Sequence, residues 1–525
     1  MQNYRPILNF SQIIGKVPWI IVLIPLILLL AGSTLHYLRG SYAVGYTDAK
    51  SWGVDDAYIS YRYSWNLAHF NTLSWNESGF QRTEGFTNPL WVLLGIAWSK
   101  FGNKDWVYPL SVLSSIIISS ILFSILILSV LKRHDNSIGS ILGLVSVACV
   151  PAIWLHTTSG LESAVFGVGL ATLAYLAIFP SKKPITSSLI IFLSIFLGLL
   201  RSDGFIYLAI ILSAAIIAGS KSWKPVLIGL IISGMVLIVW RYLTFGTLLP
   251  NTAVAKLNFS LSERIRVASM FLRASVFYSG LIIFLLFGIA GLWLESRRIF
   301  FAGIFVALSW VSYYLYIGGD GYIERHLIGL YFLLAAFGAP LWLAANHKTR
   351  FLFFLVILIS GFISIIMFKG RFNYVSPKSN DPWIMLGKAL ESDRERYGVL
   401  ITFAAGKIPF YAGGDNIDML GLNDPVLATL QQDSFVPGHS SGDAQAAIEI
   451  ATSRTPGTYS TFSYFDPYFI KYPDEISIWV NNFVSQEKVH YGVTEEQWKE
   501  ANSANNIFIW SIISEPILSG NSDKK

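Results

Sequence analysis

Charge is scarce in this chain. Of its 525 residues only 13% are Asp, Glu, Lys or Arg while 53% are hydrophobic, about half the charged share of an ordinary globular protein. Cysteine is nearly absent. The single Cys149 excludes an intramolecular disulfide and any cysteine metal cluster. Nucleotide and hydrolase signatures are missing as well: no Walker loop, no GxGxxG after a strand, no HExxH and no GxSxG. There is no internal repeat and no low-complexity linker. The net charge of +6 is spread over short loops rather than gathered in a patch, so it gives no nucleic-acid footprint.

What is abundant is long apolar runs. Val17–Leu35, Ile116–Leu131 and Phe351–Phe368 are each long enough to approach a membrane crossing as helices. The sequence predicts a mainly α, polytopic membrane protein of about eleven transmembrane helices, at 18–38, 107–131, 138–155, 163–180, 186–200, 203–219, 225–243, 273–294, 299–317, 327–345 and 350–368. The first run lacks a small-residue cleavage site and reads as a retained helix. Leu90–Trp98 is apolar but short, and reads as re-entrant or interfacial. With a cytoplasmic N-terminus, Lys132-Arg133, Lys182-Lys183, Lys221 to Lys224, Arg297-Arg298 and Lys348 to Arg350 all fall inside, as the positive-inside rule asks, while Lys369 and Arg371 are exceptions. Residues 1–369 are then a transmembrane domain with a first outer loop at 39–106. Residues 370–525 read as a small C-terminal α/β domain outside the membrane, with a helix over 381–397, a strand over 398–403 and loop and turn over 406–424.

The same topology places every polar, unusual loop on the outer face: GVDDAYISYRY (53–63), EGFTNPLW (84–91), HTTSGLES (156–163), LLRSDGF (199–205), TFGTLLPNTAVAK (244–256) and GGDGYIERH (318–326). Asp55 and Asp56 open an amphipathic segment in which Ile59, Tyr63, Leu67 and Phe70 share one helical face and Arg62, Asn66 and His69 another. Asp55 reads as an N-cap. One cap suffices, so the second carboxylate must be solvated, paired or used, as general base or as ligand to a divalent cation. Arg82 with Glu84 reads as a surface pair, and Gly85, Asn88 and Pro89 as turn chemistry. Arg201 and Asp203 join two spans so tightly that the pair sits near the membrane surface, where ionisable groups mark function or a salt bridge. Ser159 and Glu162 have capping-box spacing. Asp320, Glu324, Arg325 and His326 form the densest charge cluster of the short outer loops; Arg325 with His326, and Lys256 as a point charge, suit a phosphate. Inside loops of a few residues leave no home for cytoplasmic nucleotide chemistry, so an activated group would arrive attached to lipid. A transporter would instead want ionisable residues buried at mid-membrane and interrupted helices.

In aggregate and in order, DDAYISYRYSWNLA (55–68), EGFTNPLW, SGLESAVF (159–166), LLRSDGF, FGTLLPNTAVAK (245–256), GGDGYIERH and GKIPFYAGGDNIDMLGLNDP (406–425) resemble the GT-C class of integral-membrane glycosyltransferases. The resemblance is nearest to the terminal arabinofuranosyltransferases of actinobacterial cell walls and their bacterial relatives. It departs at Arg201-Ser202-Asp203-Gly204, where that family often has Arg-Pro-Glu-Gly. The resemblance implies a bacterial inner-membrane enzyme that moves a sugar, arabinofuranose or alternatively a hexose, from a polyprenyl-phosphate donor to an envelope glycan, lipid or protein acceptor, with inversion. It implies Asp55 as base and Asp56 as second carboxylate, with no cofactor required and room for a divalent cation at Asp55 and Asp56. Arg201, Lys256, Arg325 and His326 would then face the donor phosphate. Tyr58, Tyr61, Arg62, Glu84, Asn88, Asp203 and Asp320 would face substrate, with Trp65 beside the two tyrosines.

Overall fold

A computed structural model describes residues 19–39, 53–78, 82–134, 138–179, 184–257, 259–277, 279–344, 405–418 and 421–429, together with 384, 387–388, 391, 399–402, 435–436, 439–440, 460–464, 489–491 and 510–514. The predicted span at 350–368 lies outside the described residues. The apolar runs form helices Trp19–Arg39 (α1), Lys104–Arg133 (α4), Ser163–Ile178 (α7), Pro184–Leu200 (α8), Gly204–Ile217 (α9), Trp223–Phe245 (α10), Arg297–Tyr316 (α14) and Ile328–Phe337 (α15). Between them lie Asp55–Phe70 (α2), Pro89–Lys100 (α3), Leu142–Ala148 (α5), Pro151–Thr157 (α6), Asn251–Leu257 (α11), Leu261–Phe277 (α12), Leu281–Trp293 (α13) and Ala339–Ala344 (α16).

Helix α7 is apolar on every side and buried along its whole length, as is α15. An all-round hydrophobic helix belongs at the centre, and these two pack on each other, α7 also against α4 and α15 against α13. Among the described residues α4, α10 and α14, of 30, 23 and 20 residues, are long and apolar enough to cross a membrane. Two bent pairs, α5 with α6 and α12 with α13, pass that test together and raise the count to five. Helices α7, α8 and α9 have 16, 17 and 14 residues, roughly 21–26 Å at 1.5 Å per residue, short of a ~30 Å hydrocarbon core.

Two predicted spans are broken. The one at 138–155 bends by 63° between Ala148 and Pro151. Pro151 has no N–H to continue α5, and instead occupies the first turn of α6, where that loss is harmless. The one at 273–294 is shared between α12 and α13, and its first part belongs to the longer, more polar α12. Helix α3, with 12 residues, is about 18 Å long.

In the C-terminal region Val399–Thr402 (β1) pairs in parallel with Asn416–Asp418 (β2) and Ser460–Tyr464 (β5), and Trp510–Ser514 (β7) runs antiparallel to β5 and to Val489–Tyr491 (β6). The sheet order is β2-β1-β5-β7-β6, and Phe435–Val436 (β3) and His439–Ser440 (β4) form a separate pair. The stretch expected as loop over 406–424 contains β2 and the short helix Lys407–Ala412 (α17), which packs on α2. Ile59, Tyr63, Trp75, Phe86, Val92, Ala255, Ala405, Leu422 and Ala428 share one apolar cluster, so the tail's first part is seated on the first long loop.

Candidate functional site

The site begins at the first turn of α2. Val54, not Asp55, is the N-cap residue, and it makes no side-chain cap bond. The carboxylate of Asp55 instead reaches the tail: its Oδ2 accepts the Gly406 N–H at 3.0 Å and its Oδ1 the Lys407 N–H at 2.8 Å. Burial pushes the Asp55 carboxyl up to about 6, the negative charge of Asp56 adds to that, and the backbone bonds and charge of Lys407 partly offset it. Asp56 points elsewhere. Its Oδ2 lies 3.4 Å from Nη1 of Arg325, and its side chain keeps 23% of its exposure.

From Arg325 the charges form one buried network. Its guanidinium lies 3.5 Å from Asp320 and 3.4 Å from Glu162, while its Nε is buried with no partner among the described residues. Glu162 is fully committed. Its Oε1 accepts from Arg201 Nη1 at 2.6 Å and its Oε2 from Asn88 Nδ2 at 2.6 Å, and Asn88 in turn accepts the Ser60 hydroxyl at 2.9 Å. Burial alone would raise the Glu162 carboxyl, but Arg325, Arg201 and Asn88 together hold it below the usual range. Arg201 closes a fork on Asp203 at 2.8 and 3.0 Å, and Tyr313 adds a hydroxyl at 3.3 Å. Against its burial, that fork holds Asp203 below the ordinary carboxylate range. His326 lies 3.8 Å from Asp203 and 3.6 Å from Asp320; burial, against the pull of Asp320, pushes its ring down and leaves it neutral at pH 7.

Four of the predicted phosphate and carboxylate partners are thus brought together: Arg201, Asp203, Asp320 and Arg325, with His326 and Asp56 at the edges. Others are placed differently. Glu84 does not pair with the exposed Arg82. Both its oxygens are gripped by Arg241 at the end of α10, which also reaches Ser202 at 2.9 Å and the Leu248 carbonyl at 3.2 Å. Burial raises the Glu84 carboxyl even so. Arg62 is buried, and its guanidinium donates to the carbonyls of Trp75, Pro409 and Gly414. The face of α2 expected to be polar therefore holds the tail. Tyr58 and Tyr61 are fully buried among Tyr108, Phe410, Tyr411 and Trp98, and the Tyr61 hydroxyl donates to the Gly160 carbonyl at 2.8 Å. Trp65 stacks on His69. Glu324 turns away from Arg325 toward Ser279, whose hydroxyl donates at 2.5 Å, and His156 at 3.7 Å. Lys256 falls on α11, its side chain outside the described part of the structure.

Three contributors were not picked out from sequence. Glu162 was read as a capping acid, yet Gly160 turns the chain at φ +89 and the Ser159 hydroxyl takes the Leu161 N–H instead, freeing the carboxylate for two arginines. Arg241 stood in the last turn of a predicted span, and an arginine inside an apolar run was itself the signal. Lys407 lies fully buried beside Asp55, 5.5 Å over the Tyr58 ring. Each Asp55 oxygen accepts an N–H and Asp56 faces a guanidinium, and among the described residues no three His, Cys, Asp or Glu side chains gather to hold a metal.

The sequence matches no protein-family model and no curated protein. The fold, however, is similar to that of ArnT from Cupriavidus metallidurans bound to undecaprenyl phosphate, with a TM-score of 0.55 and 10% identity over 94% of this chain and 98% of ArnT. The apo state of ArnT gives a TM-score of 0.54 over the same shares at 10% identity. The archaeal oligosaccharyltransferase AglB from Archaeoglobus fulgidus, in complex with an inhibitory peptide and a dolichol-phosphate, gives 0.49 and 12% identity over 84% of this chain and 69% of AglB. The chain has a mainly helical fold like that of ArnT.

Proposed function

We propose that this chain is an integral-membrane glycosyltransferase that moves a sugar, arabinofuranose in first place, from a polyprenyl-phosphate donor to a cell-envelope acceptor at the extracytoplasmic face, with inversion. The observation that carries the reading is the carboxylate doublet at the start of α2, with Asp55 held by the Gly406 and Lys407 N–H groups and Asp56 3.4 Å from Arg325, among buried loops of a GT-C-like fold. The likeness to an ArnT structure bound to undecaprenyl phosphate supports a lipid-linked donor. The lean toward arabinofuranose comes from the outer-loop motifs.

In this reading the acceptor hydroxyl attacks the anomeric carbon as Asp55 takes its proton. The carbon–oxygen bond to phosphate breaks, and its electron pair leaves on the phosphate oxygen. A carboxyl poised near 6 is ionised at neutral pH yet basic enough to take a proton in the transition state. Arg325, loosely held and with Nε still to give, suits the charge growing on the leaving phosphate. Arg201, with its fork and third nitrogen committed, acts as the clamp that holds Glu162 and Asp203. Four carboxylates, Asp56, Glu162, Asp203 and Asp320, stand against two guanidiniums in this network, an excess that favours the positive charge an oxocarbenium-like sugar develops.

The test is transfer by the purified protein from synthetic polyprenyl-phosphoryl arabinofuranose, and from hexosyl donors, to a panel of acceptors. Asp55→Asn is expected to cut kcat by about 10²- to 10⁴-fold with the donor still bound. Transfer only from a hexosyl donor would replace the sugar and keep the reaction. A folded protein inert to every donor would return the chain to the transporter reading.

A further inference from the structure

The C-terminal segment reaches the reaction centre through two consecutive residues. The N–H groups of Gly406 and Lys407 each take one oxygen of Asp55, which fixes the plane of the carboxylate and leaves each oxygen a second lone pair. The Lys407 side chain is 0% exposed, lies over Tyr58, and is close enough for its charge to act on Asp55. Burying an ammonium is costly unless an anion compensates it, and Asp55 is such an anion. The segment is held in register from both sides. Trp75 Nε1 donates to the Ala405 carbonyl at 3.2 Å, Arg62 binds the Pro409 and Gly414 carbonyls, and Asn76 exchanges two bonds with the Asn416 backbone at 3.1 and 2.8 Å. Its approach to Asp55 is as close as backbone allows. A Cβ on Gly406 would overlap the Asp55 carbonyl and stand 2.8 Å from its Cγ.

We propose that residues 405–407 are part of the reaction centre and that Lys407 is a positioning residue for Asp55, so that the C-terminal segment completes the site rather than serving as a detached glycan-recruiting module. This rests on the reading of Asp55 as the base. Two N–H donors and an ammonium from one segment hold the carboxylate in a single orientation toward the acceptor.

The experiment compares the full-length protein with Gly406→Ala, Lys407→Met and Lys407→Ala. Both Gly406→Ala and Lys407→Met are expected to lose about ten- to a hundredfold in kcat, with donor KM held within about twofold. Exchange of the Asn416 amide, held by Asn76 on the far side of the segment, should stay slow and so report that the tail remains docked. Methylammonium should restore part of the kcat of Lys407→Ala. Wild-type kcat in Lys407→Met, or a loss that tracks undocking at Asn416, overturns the proposal. A second measurement is independent of substrate. Asp55→Ala should speed exchange of the Gly406 and Lys407 amides while Asn416 stays slow; equal exchange in the two proteins overturns the proposal even if a donor is turned over. Failure of every donor with the amide result intact would remove the transferase reading and leave Asp55 as the anchor of the segment.

Discussion

At the scale of single residues, the two neighbouring carboxylates differ because their surroundings do. Asp55 is enclosed by the tail and pushed up to about 6, whereas Asp56 keeps water on one side and a guanidinium on the other. If Asp55 is the base, kcat/KM should rise with a slope of one below about pH 6 and level off above it. Stability has its own pH dependence. A raised carboxyl contributes stability that is complete below its ordinary value of 3.8 and lost as pH rises through about 6. Asp203 and Glu162 are held low, so their contribution is present above the ordinary range and is lost only as pH falls well below it. Activity should fall between about pH 7 and 5, and the buried His326, its ring pushed down, withdraws stability as pH falls through its ordinary 6.5. Rate and melting are therefore measured together: a rate limb that persists well below the melting temperature supports the assignment, and one that coincides with melting would reject it. The doublet, Arg201, Asp203, Asp320 and Arg325 were legible because ionisable groups are so rare in this chain. Glu162 was misread because a local rule, capping-box spacing, was satisfied on paper. Lys407 was invisible because its meaning depends on Asp55, about 350 residues earlier in the chain.

At the scale of elements, apolar runs and prolines told most of the story. The helices fall where the runs do, and the break at Pro151 follows from its missing N–H. Pairing across elements was not legible, since no period in the sequence reports which helix end meets which loop. The plainest case is the end of α10, where Arg241 ties the helix to Glu84 of the first long loop, and the Asn251 side chain at the start of α11 donates to the Gly421 and Leu422 carbonyls of the tail. Removing one partner of such a buried ion pair leaves a bare charge and costs ~3–5 kcal/mol. Glu84→Ala and Arg241→Met should each lower the melting temperature in detergent, and the double variant should be no less stable than the worse single one. The donor KM of the folded fraction should not move. A raised KM with unchanged melting would instead put Glu84 against the substrate.

At the scale of the whole molecule, the loops sort into two groups at opposite ends of the helices. One end gathers the start of α2, the start of α3, the α6–α7, α8–α9 and α14–α15 connections and the tail segment. The other gathers the short basic loops: Arg133 bonds Glu295 at 2.8 Å and lies 4.1 Å over Phe179, and the guanidinium of Arg298 stands beside Gly219. Lysine and arginine predict the same division from sequence, and these contacts gather the described basic loops at the end away from the carboxylates. Positive loops tend to be retained in the cytoplasm, and the proposed orientation follows from that rule: the carboxylates, Arg325 and Lys407 would then lie in the outer compartment. Single cysteines in a Cys149→Ser background test this directly. Phe101→Cys, at a residue 75% exposed on the tail side, should react with an impermeant maleimide in intact cells. Lys221→Cys, exposed at the basic end, should react only after permeabilisation. The reverse pattern would place the site in the cytoplasm, where soluble nucleotide-sugars are at hand, and would remove the reason for a lipid-borne donor. The expected pattern would leave a membrane-anchored donor as the source of activated sugar.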